Sequence, residues 1–172
     1  IKTVHLFRGI NAVSIRYTIR AGASPVRLSL RPLAAMRDSH GFLSSRDAAA
    51  FRIDSGPRSA CVRRVWDGGE RVLELELDTG GFRRDPQWGY GFEYEHELSR
   101  QYDAHEALFS PGEFAFDAPA GEETTAELTA WIGDKPRTTV ADDEKVQERR
   151  IASQVAAALH GARVSAADRE AV

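Results

Sequence analysis

The sequence predicts a mainly β fold, an antiparallel β-sandwich followed by C-terminal helices. Apolar and polar residues alternate with a period of two through most of the first 133 residues, and a helical period replaces it beyond residue 142. One apolar and one polar side on nearly every strand is typical of antiparallel sheets that pack face to face. The length of 172 residues, with 42% hydrophobic and 28% charged residues, fits one globular domain with a real core.

The alternation locates the individual strands in order. It is clearest over residues 13–20 and 26–30, and it returns over residues 73–77. The turn-forming Asp67-Gly68-Gly69 predicts a hairpin that pairs residues 62–66 with the strand following it. A last strand is predicted over residues 126–132.

An aromatic stripe occupies residues 88–94, where Trp88, Tyr90, Phe92 and Tyr94 fall on every second position. On a regular strand such residues share one face, which would be either the inner wall of the sandwich or a platform for flat rings such as sugars. We expect the later two rings inside and the first two at the rim. Residues 109–112, Phe-Ser-Pro-Gly, predict a turn before a further strand at 113–116.

The C-terminal part has a helical pattern. Acidic residues at 142–144 suit the positive end of a helix dipole, and Gly161 predicts the end of that helix. Ser165 to Asp168 resembles a capping box that would begin a second helix. The predicted organisation is therefore a β domain over 1–133, a linker over 134–141 and a helical segment over 142–172.

Composition limits the function classes. The net charge of −3 argues against binding of nucleic acid, whose affinity comes largely from neutralised phosphates. Cys61 is the only cysteine, so no intrachain disulfide or cysteine zinc site can form, and a buried structural thiol is expected. No signal peptide is evident, and we expect a cytoplasmic piece of a longer polypeptide without membrane contact. Neither metal nor cofactor is predicted, because Asp103-x-His105 lacks a second closely spaced ligand pair.

Carboxylates in the same region do not predict catalysis. Glu93, Glu95 and Glu97 share one face of the expected strand, whereas the acid and base of a glycosidase must face each other across the scissile bond. A solvated strand face is the better interpretation. We therefore assign no catalytic residue, which counts against a self-sufficient hydrolase.

Two motifs carry a family resemblance. Residues 30–41 contain Arg-Pro-Leu, then Arg37-Asp38 and His40, similar to the RPL-x-x-x-RD-x-H strand of bacterial and archaeal glycogen debranching enzymes. A second run similar to their N-terminal domain is present at Trp88, Phe92, Tyr94, Glu97, Arg100, Asp103, Glu106, Leu108, Phe109, Pro111, Gly112 and Phe114. Gln101-Tyr102 departs from the Gly-Leu that the family more often has.

The resemblance implies an incomplete, supersandwich-like domain of an amylo-α-1,6-glucosidase. Its partner would be a helical catalytic domain of the same polypeptide that carries the catalytic carboxylates, and its substrate would be an α-glucan. We expect a non-catalytic portion that braces the catalytic domain and shapes the substrate cleft. A stand-alone carbohydrate-binding module is the alternative, although such a module needs no helical tail.

The site residues predicted on this basis form two sets. Those expected at the substrate or domain interface are Trp88, Tyr90, Glu97, Arg100, Asp103 and Glu106. Those expected to hold the structural motif are Arg37, Asp38, His40, Pro111 and Gly112.

Overall fold

The computed structural model describes residues 1–38, 41–66, 69–100 and 104–170, which form two antiparallel sheets and a long C-terminal helix. The strands are β1 (Lys2–Leu6), β2 (Asn11–Arg20), β3 (Val26–Leu30), β4 (Phe51–Ser55), β5 (Ser59–Trp66), β6 (Gly69–Leu77), β7 (Gly81–Glu93), β8 (His105–Ala118) and β9 (Glu123–Ile132). The six-stranded first sheet has the order β1-β2-β9-β6-β5-β4, and the three-stranded second sheet has the order β3-β8-β7. The helices are a 3-10 helix (Ser45–Ala50), α1 (Glu95–Ser99) and α2 (Val140–Glu170).

The main core lies between the two sheets and confirms the predicted antiparallel arrangement. Phe114 on β8 is fully buried in the same cluster as Val62 on β5 and Leu77 on β6. The predicted strands at 13–20, 26–30, 73–77 and 126–132 are all present, and β5 pairs with β6 as the predicted hairpin. The period-two pattern therefore located these strands correctly.

The predicted turn at residues 109–112 is wrong, because these residues lie inside the continuous strand β8. Arg84 pairs with Gly112 and Gln87 pairs with Ser110, so two residues of β7 lie opposite Pro111 alone. One of those two is Pro86, and a bulge accommodates prolines on both strands because neither has an N–H to donate.

Gly112 allows the two strands to approach at this bulge. A Cβ atom at this position would lie 2.3 Å from the carbonyl oxygen of Arg83. The sequence Pro-Gly therefore serves strand pairing here, whereas local propensity alone favours a turn.

A second bulge breaks the predicted aromatic alternation. Gly89 pairs with Leu108 and Phe92 with Glu106, so Tyr90 and Gly91 lie opposite a single residue of β8. The four aromatic residues therefore do not form one continuous band. Glu95 and Glu97 lie in α1 rather than on a strand face, which corrects the expected placement of these carboxylates.

A single C-terminal helix replaces the two that were predicted. Helix α2 begins at Val140 and continues through Gly161 and Ser165 to Glu170. Thr139 Oγ1 accepts a hydrogen bond from the Asp142 backbone N–H at 3.2 Å, which caps the first turn. A glycine inside a helix costs only about 1 kcal/mol relative to alanine, so Gly161 does not have to end it.

A small second core anchors the start of α2 to the first sheet. Val140 packs with Phe7, Ala12 and Trp131. Beside this cluster, His5 Nε2 lies 2.9 Å from Asp143 Oδ2. Beyond this anchor the helix carries Val146, Ile151 and Val155 with more than half of each residue exposed.

Candidate functional site

The segment between β3 and the 3-10 helix runs beside β8, which brings the two predicted motifs together. Ala34 and Phe109 exchange both backbone hydrogen bonds, with N···O distances of 2.7 and 3.3 Å. This pairing lies between Arg31 and Arg37, so the two arginines reach different parts of the second sheet. The early motif is thus held against the residues of the later one.

Glu106 is the centre of a buried polar cluster. Its side chain is completely buried and accepts hydrogen bonds from Arg37 Nε and from Arg37 Nη2, the latter at 3.1 Å. Tyr94 Oη donates to Glu106 Oε2 at 2.5 Å, and the Leu43 backbone N–H donates to Oε1 at 3.1 Å. Phe42 stacks on Tyr94 with ring centroids 5.8 Å apart, and Arg37 lies over the Phe42 ring. We call Arg37, Leu43, Tyr94 and Glu106 the Glu106 cluster.

The electrostatics of the Glu106 cluster favour a structural role. Burial alone would raise the pKa of Glu106, but the hydrogen bonds from Arg37, Tyr94 and Leu43 outweigh burial and hold the pKa below its ordinary value. The hydrogen bond to Glu106 raises the pKa values of both Arg37 and Tyr94. Each group is thus fixed in its ordinary charge state near neutral pH, so the cluster has no acid or base poised for proton transfer.

The other motif arginine joins a network on the outer face of the second sheet. Arg31 Nη2 lies 2.6 Å from Asp85 Oδ2 and 3.7 Å from Glu113 Oε2. Arg83 lies 3.5 Å from the same Asp85 oxygen, and the hydrogen bond from Arg31 is the main reason that the pKa of Asp85 is lowered. We call Arg31, Arg83, Asp85 and Glu113 the outer network.

The described residues of the predicted interface set differ in burial and in the elements that carry them. Trp88 is half-buried and packs against the main core, whereas Tyr90 is 68% exposed. Glu97 belongs to α1, Arg100 follows it on the surface, and Glu106 is buried.

The residues predicted to hold the structural motif differ from one another in burial and in their contacts. Arg37 belongs to the Glu106 cluster, while Asp38 is exposed. Pro111 and Gly112 are buried at the first bulge. Asp103 and His40 lie outside the described residues.

A pocket of about 390 Å³ opens between β4 and β7, the edge strands on the same side of the two sheets. We call it the edge pocket. The edge pocket includes Trp88 and Phe109, which belong to the second sequence motif. It also includes Phe51 and Arg84, which the sequence did not predict because no local motif marks them. Its lining is Ala48, Phe51, Arg52, Ile53, Asp54, Arg84, Pro86, Trp88 and Phe109.

A second pocket, of about 350 Å³, lies between the first sheet and the residues that precede α2. Three carboxylates line it, but each already has a protein partner. Glu76 Oε2 lies 2.5 Å from Lys135 Nζ and Glu127 Oε2 lies 2.9 Å from Arg16 Nη2. Asp78 Oδ1 accepts the backbone N–H of Glu127 at 2.8 Å. Two of these contacts are ion pairs and the third is a hydrogen bond from the backbone, so the carboxylates are not arranged as an opposed acid and base.

The described residues form neither a metal site nor a site with a reactive thiol. Among the described residues, no group of three His, Cys, Asp or Glu side chains is placed to hold a metal ion. Burial, followed by a hydrogen bond with Glu74, raises the pKa of the Cys61 thiol to about 11, so the reactive thiolate is scarce at neutral pH. Over the ranges that the structure describes, no helix is long and apolar enough to cross a membrane.

Comparison with known proteins places this chain in a family. No curated protein matches the chain. The family model described as glycogen debranching enzyme N terminal matches residues 1–125, which includes β1 to β8 and both motifs. The chain therefore belongs to the glycogen debranching enzyme N-terminal family.

Proposed function

We propose that this chain is the non-catalytic β-sandwich portion of a cytoplasmic glycoside hydrolase that acts on α-1,6 branches of glycogen or a related α-glucan. In this proposal it braces a helical catalytic domain of the same polypeptide and shapes its substrate cleft. The family match over residues 1–125 is the observation that carries the proposal. The engagement of the pocket carboxylates by Arg16, Lys135 and a backbone N–H supports the non-catalytic part.

Helix α2 supports the bracing role. It has 31 residues, and Val140, Asp143 and Gln147 in its first two turns anchor it to the first sheet and the loop beside it. Ile151 and Val155 lie one turn apart on the same side of the helix and are both more than half exposed. Helices in proteins gain most of their stability from packing an apolar face against another element. Ile151 and Val155 are therefore suited to contact with the proposed catalytic domain.

The sharpest test uses a polypeptide that joins this chain to the helical catalytic domain of a debranching enzyme. The double substitution Ile151→Glu and Val155→Glu should lower glucose release from a limit dextrin by at least about tenfold, since buried carboxylates would disrupt the packing. The matched control, Ser153→Glu with Gln154→Glu, places two carboxylates on exposed positions of the same helix and should retain activity. Full activity of the Ile151/Val155 variant would contradict the bracing role.

Two further residues are proposed to contact the catalytic domain. Glu97 and Arg100 lie on and directly after α1, and Arg100 is exposed. In the joined polypeptide, Arg100→Ala would weaken hydrolysis if this surface meets the catalytic domain, with the circular dichroism spectrum unchanged. The 172-residue chain alone is expected to release no glucose from the same substrate.

A further inference from the structure

The edge pocket has the size and position of a small-molecule site. Its volume of about 390 Å³ lies within the range of ligand pockets, roughly 300–1,000 Å³. Strands β4 and β7 are each hydrogen-bonded to a neighbouring strand on one side only, so the pocket opens where both sheets end. Ligands can therefore enter from solvent without displacing a strand.

Aromatic rings form one wall of the edge pocket. The Phe51 and Phe109 rings stack with centroids 4.4 Å apart, and Trp88 packs edge-on against both at 5.7 and 5.5 Å. Because Trp88 is held by these rings yet remains half-buried rather than enclosed, part of its indole is available to a ligand. An aromatic surface fixed in this way can receive the apolar C–H face of a pyranose ring with little loss of side-chain entropy.

Polar groups beside this wall provide both donors and acceptors. Arg52 Nη1 is held by the carbonyl oxygens of Ala49 and Phe51 at 2.6 and 2.9 Å, which fixes the guanidinium while its other nitrogens retain donors. Arg84 is exposed and makes no ion pair with the residues that the structure describes. Asp54 also lines the pocket; its Oδ2 lies 3.5 Å from Arg63 Nε, and its other carboxylate oxygen can accept a hydrogen bond.

This combination favours a sugar over a simple anion. A hexose carries hydroxyl groups that both donate and accept hydrogen bonds, together with an apolar ring face. An inorganic anion would match the arginines but would leave the aromatic wall unused and would meet the negative charge of Asp54. The lining as a whole therefore suits a neutral hexopyranose.

We propose that the edge pocket binds one or two glucose residues of an α-glucan chain. The choice of α-glucan rests on the proposed function. Trp88 provides the stacking surface, Arg84 and Arg52 donate to hydroxyl groups, and Asp54 accepts from them. Tyr90, although aromatic and exposed, lies outside the pocket lining.

Isothermal titration of maltoheptaose into the 172-residue chain tests this inference. Wild type should bind, and Arg84→Ala should weaken binding by at least about tenfold, the loss expected when charged hydrogen-bond donors are removed. The matched control Tyr90→Ala removes an exposed aromatic ring from the same strand and should bind as wild type does. If Arg84→Ala alters the circular dichroism spectrum, Arg84→Gln provides the same comparison with a side chain closer in size.

Three results would overturn the inference. They are no binding by the folded wild-type chain at millimolar maltoheptaose, full binding by a folded Arg84 variant, and loss of binding in Tyr90→Ala alone. The last result would instead indicate the surface platform of a carbohydrate-binding module. None of these affects the expected loss of hydrolysis in the Ile151/Val155 variant, so the two proposals can fail separately.

Discussion

Two arginines of one motif, Arg31 and Arg37, hold the same segment of chain to the second sheet in opposite ways. Arg31 reaches the outer network, where both it and Asp85 retain more than a quarter of their side-chain exposure. Arg37 reaches Glu106, whose side chain is completely buried. The pairing of Ala34 with Phe109 lies between them. An arginine therefore forms a solvated ion pair at the start of the segment, through Arg31, and a buried ion pair at its end, through Arg37.

The two arginine contacts are expected to contribute unequally to the stability of the fold. Asp85 also lies near Arg83 and accepts from Gln87, so the outer network offers substitutes if one member is lost. Glu106 is enclosed, and all its partners converge on a single carboxylate. Losing that carboxylate leaves buried donors without an acceptor, which costs more than removing a solvated pair.

The largest expected decrease in the free energy of unfolding follows from Glu106→Gln. The substitution keeps the shape of the side chain but leaves Arg37 without its carboxylate, and breaking a buried pair from one side costs about 3 kcal/mol or more. Urea unfolding followed by circular dichroism measures the loss. Glu113→Gln, on the same strand but in the outer network, is the matched control and should change stability far less. Equal losses in the two variants would remove the distinction between the clusters.

A smaller decrease in the free energy of unfolding is expected when the pH is lowered. Because the folded-state pKa of Glu106 lies below its ordinary value of 4.5, the ionised carboxylate stabilises the fold above about that pH. That contribution is lost as the pH falls from about 4.5 through the folded-state pKa. In this window wild type should lose stability more steeply than Glu106→Gln, by up to about 1.4 kcal/mol per pH unit. Parallel stability curves for the two proteins would show that Glu106 does not titrate with unfolding.

The smallest effect is expected from Arg31→Ala. Its partners are partly solvated and Arg83 remains beside both of them, so the free energy of unfolding should fall by well under half of the Glu106→Gln loss. Addition of salt should shrink the difference from wild type further, since exposed pairs are screened. A loss as large as that of Glu106→Gln, unaffected by salt, would mean that the outer network is a second essential anchor.

The sequence predicted those parts of the fold that depend on local pattern. Strands β2, β3 and β6 follow from alternation alone, because one face of each meets a core. The turn predicted at residues 109–112 failed because Ser-Pro-Gly favours a turn only in the absence of a partner strand. Here the partner strand is β7, and its Pro86 lies opposite Pro111. The two prolines are distant in sequence, so no local rule connects them.

The candidate site was harder to predict for the same reason. The two motifs marked Arg37 and Glu106 individually, but their pairing depends on how the segment after β3 lies along β8. The second bulge separates Trp88 from Tyr90, and a bulge has no reliable signature in the residues of one strand. Phe51 and Arg84 line the edge pocket only because two sheets end on the same side of the sandwich.

The bulges of β7 also affect how readily this edge of the sheet could pair with another chain. At 13 residues β7 is a long edge strand, and a long, flat edge can pair with another chain and begin a fibril. Pro86 removes one N–H from the row of donors, and the two irregularities prevent a straight partner strand from following the edge in register. Pro86, which lines the edge pocket, thus also helps to make this edge of the sheet a poor template for self-association.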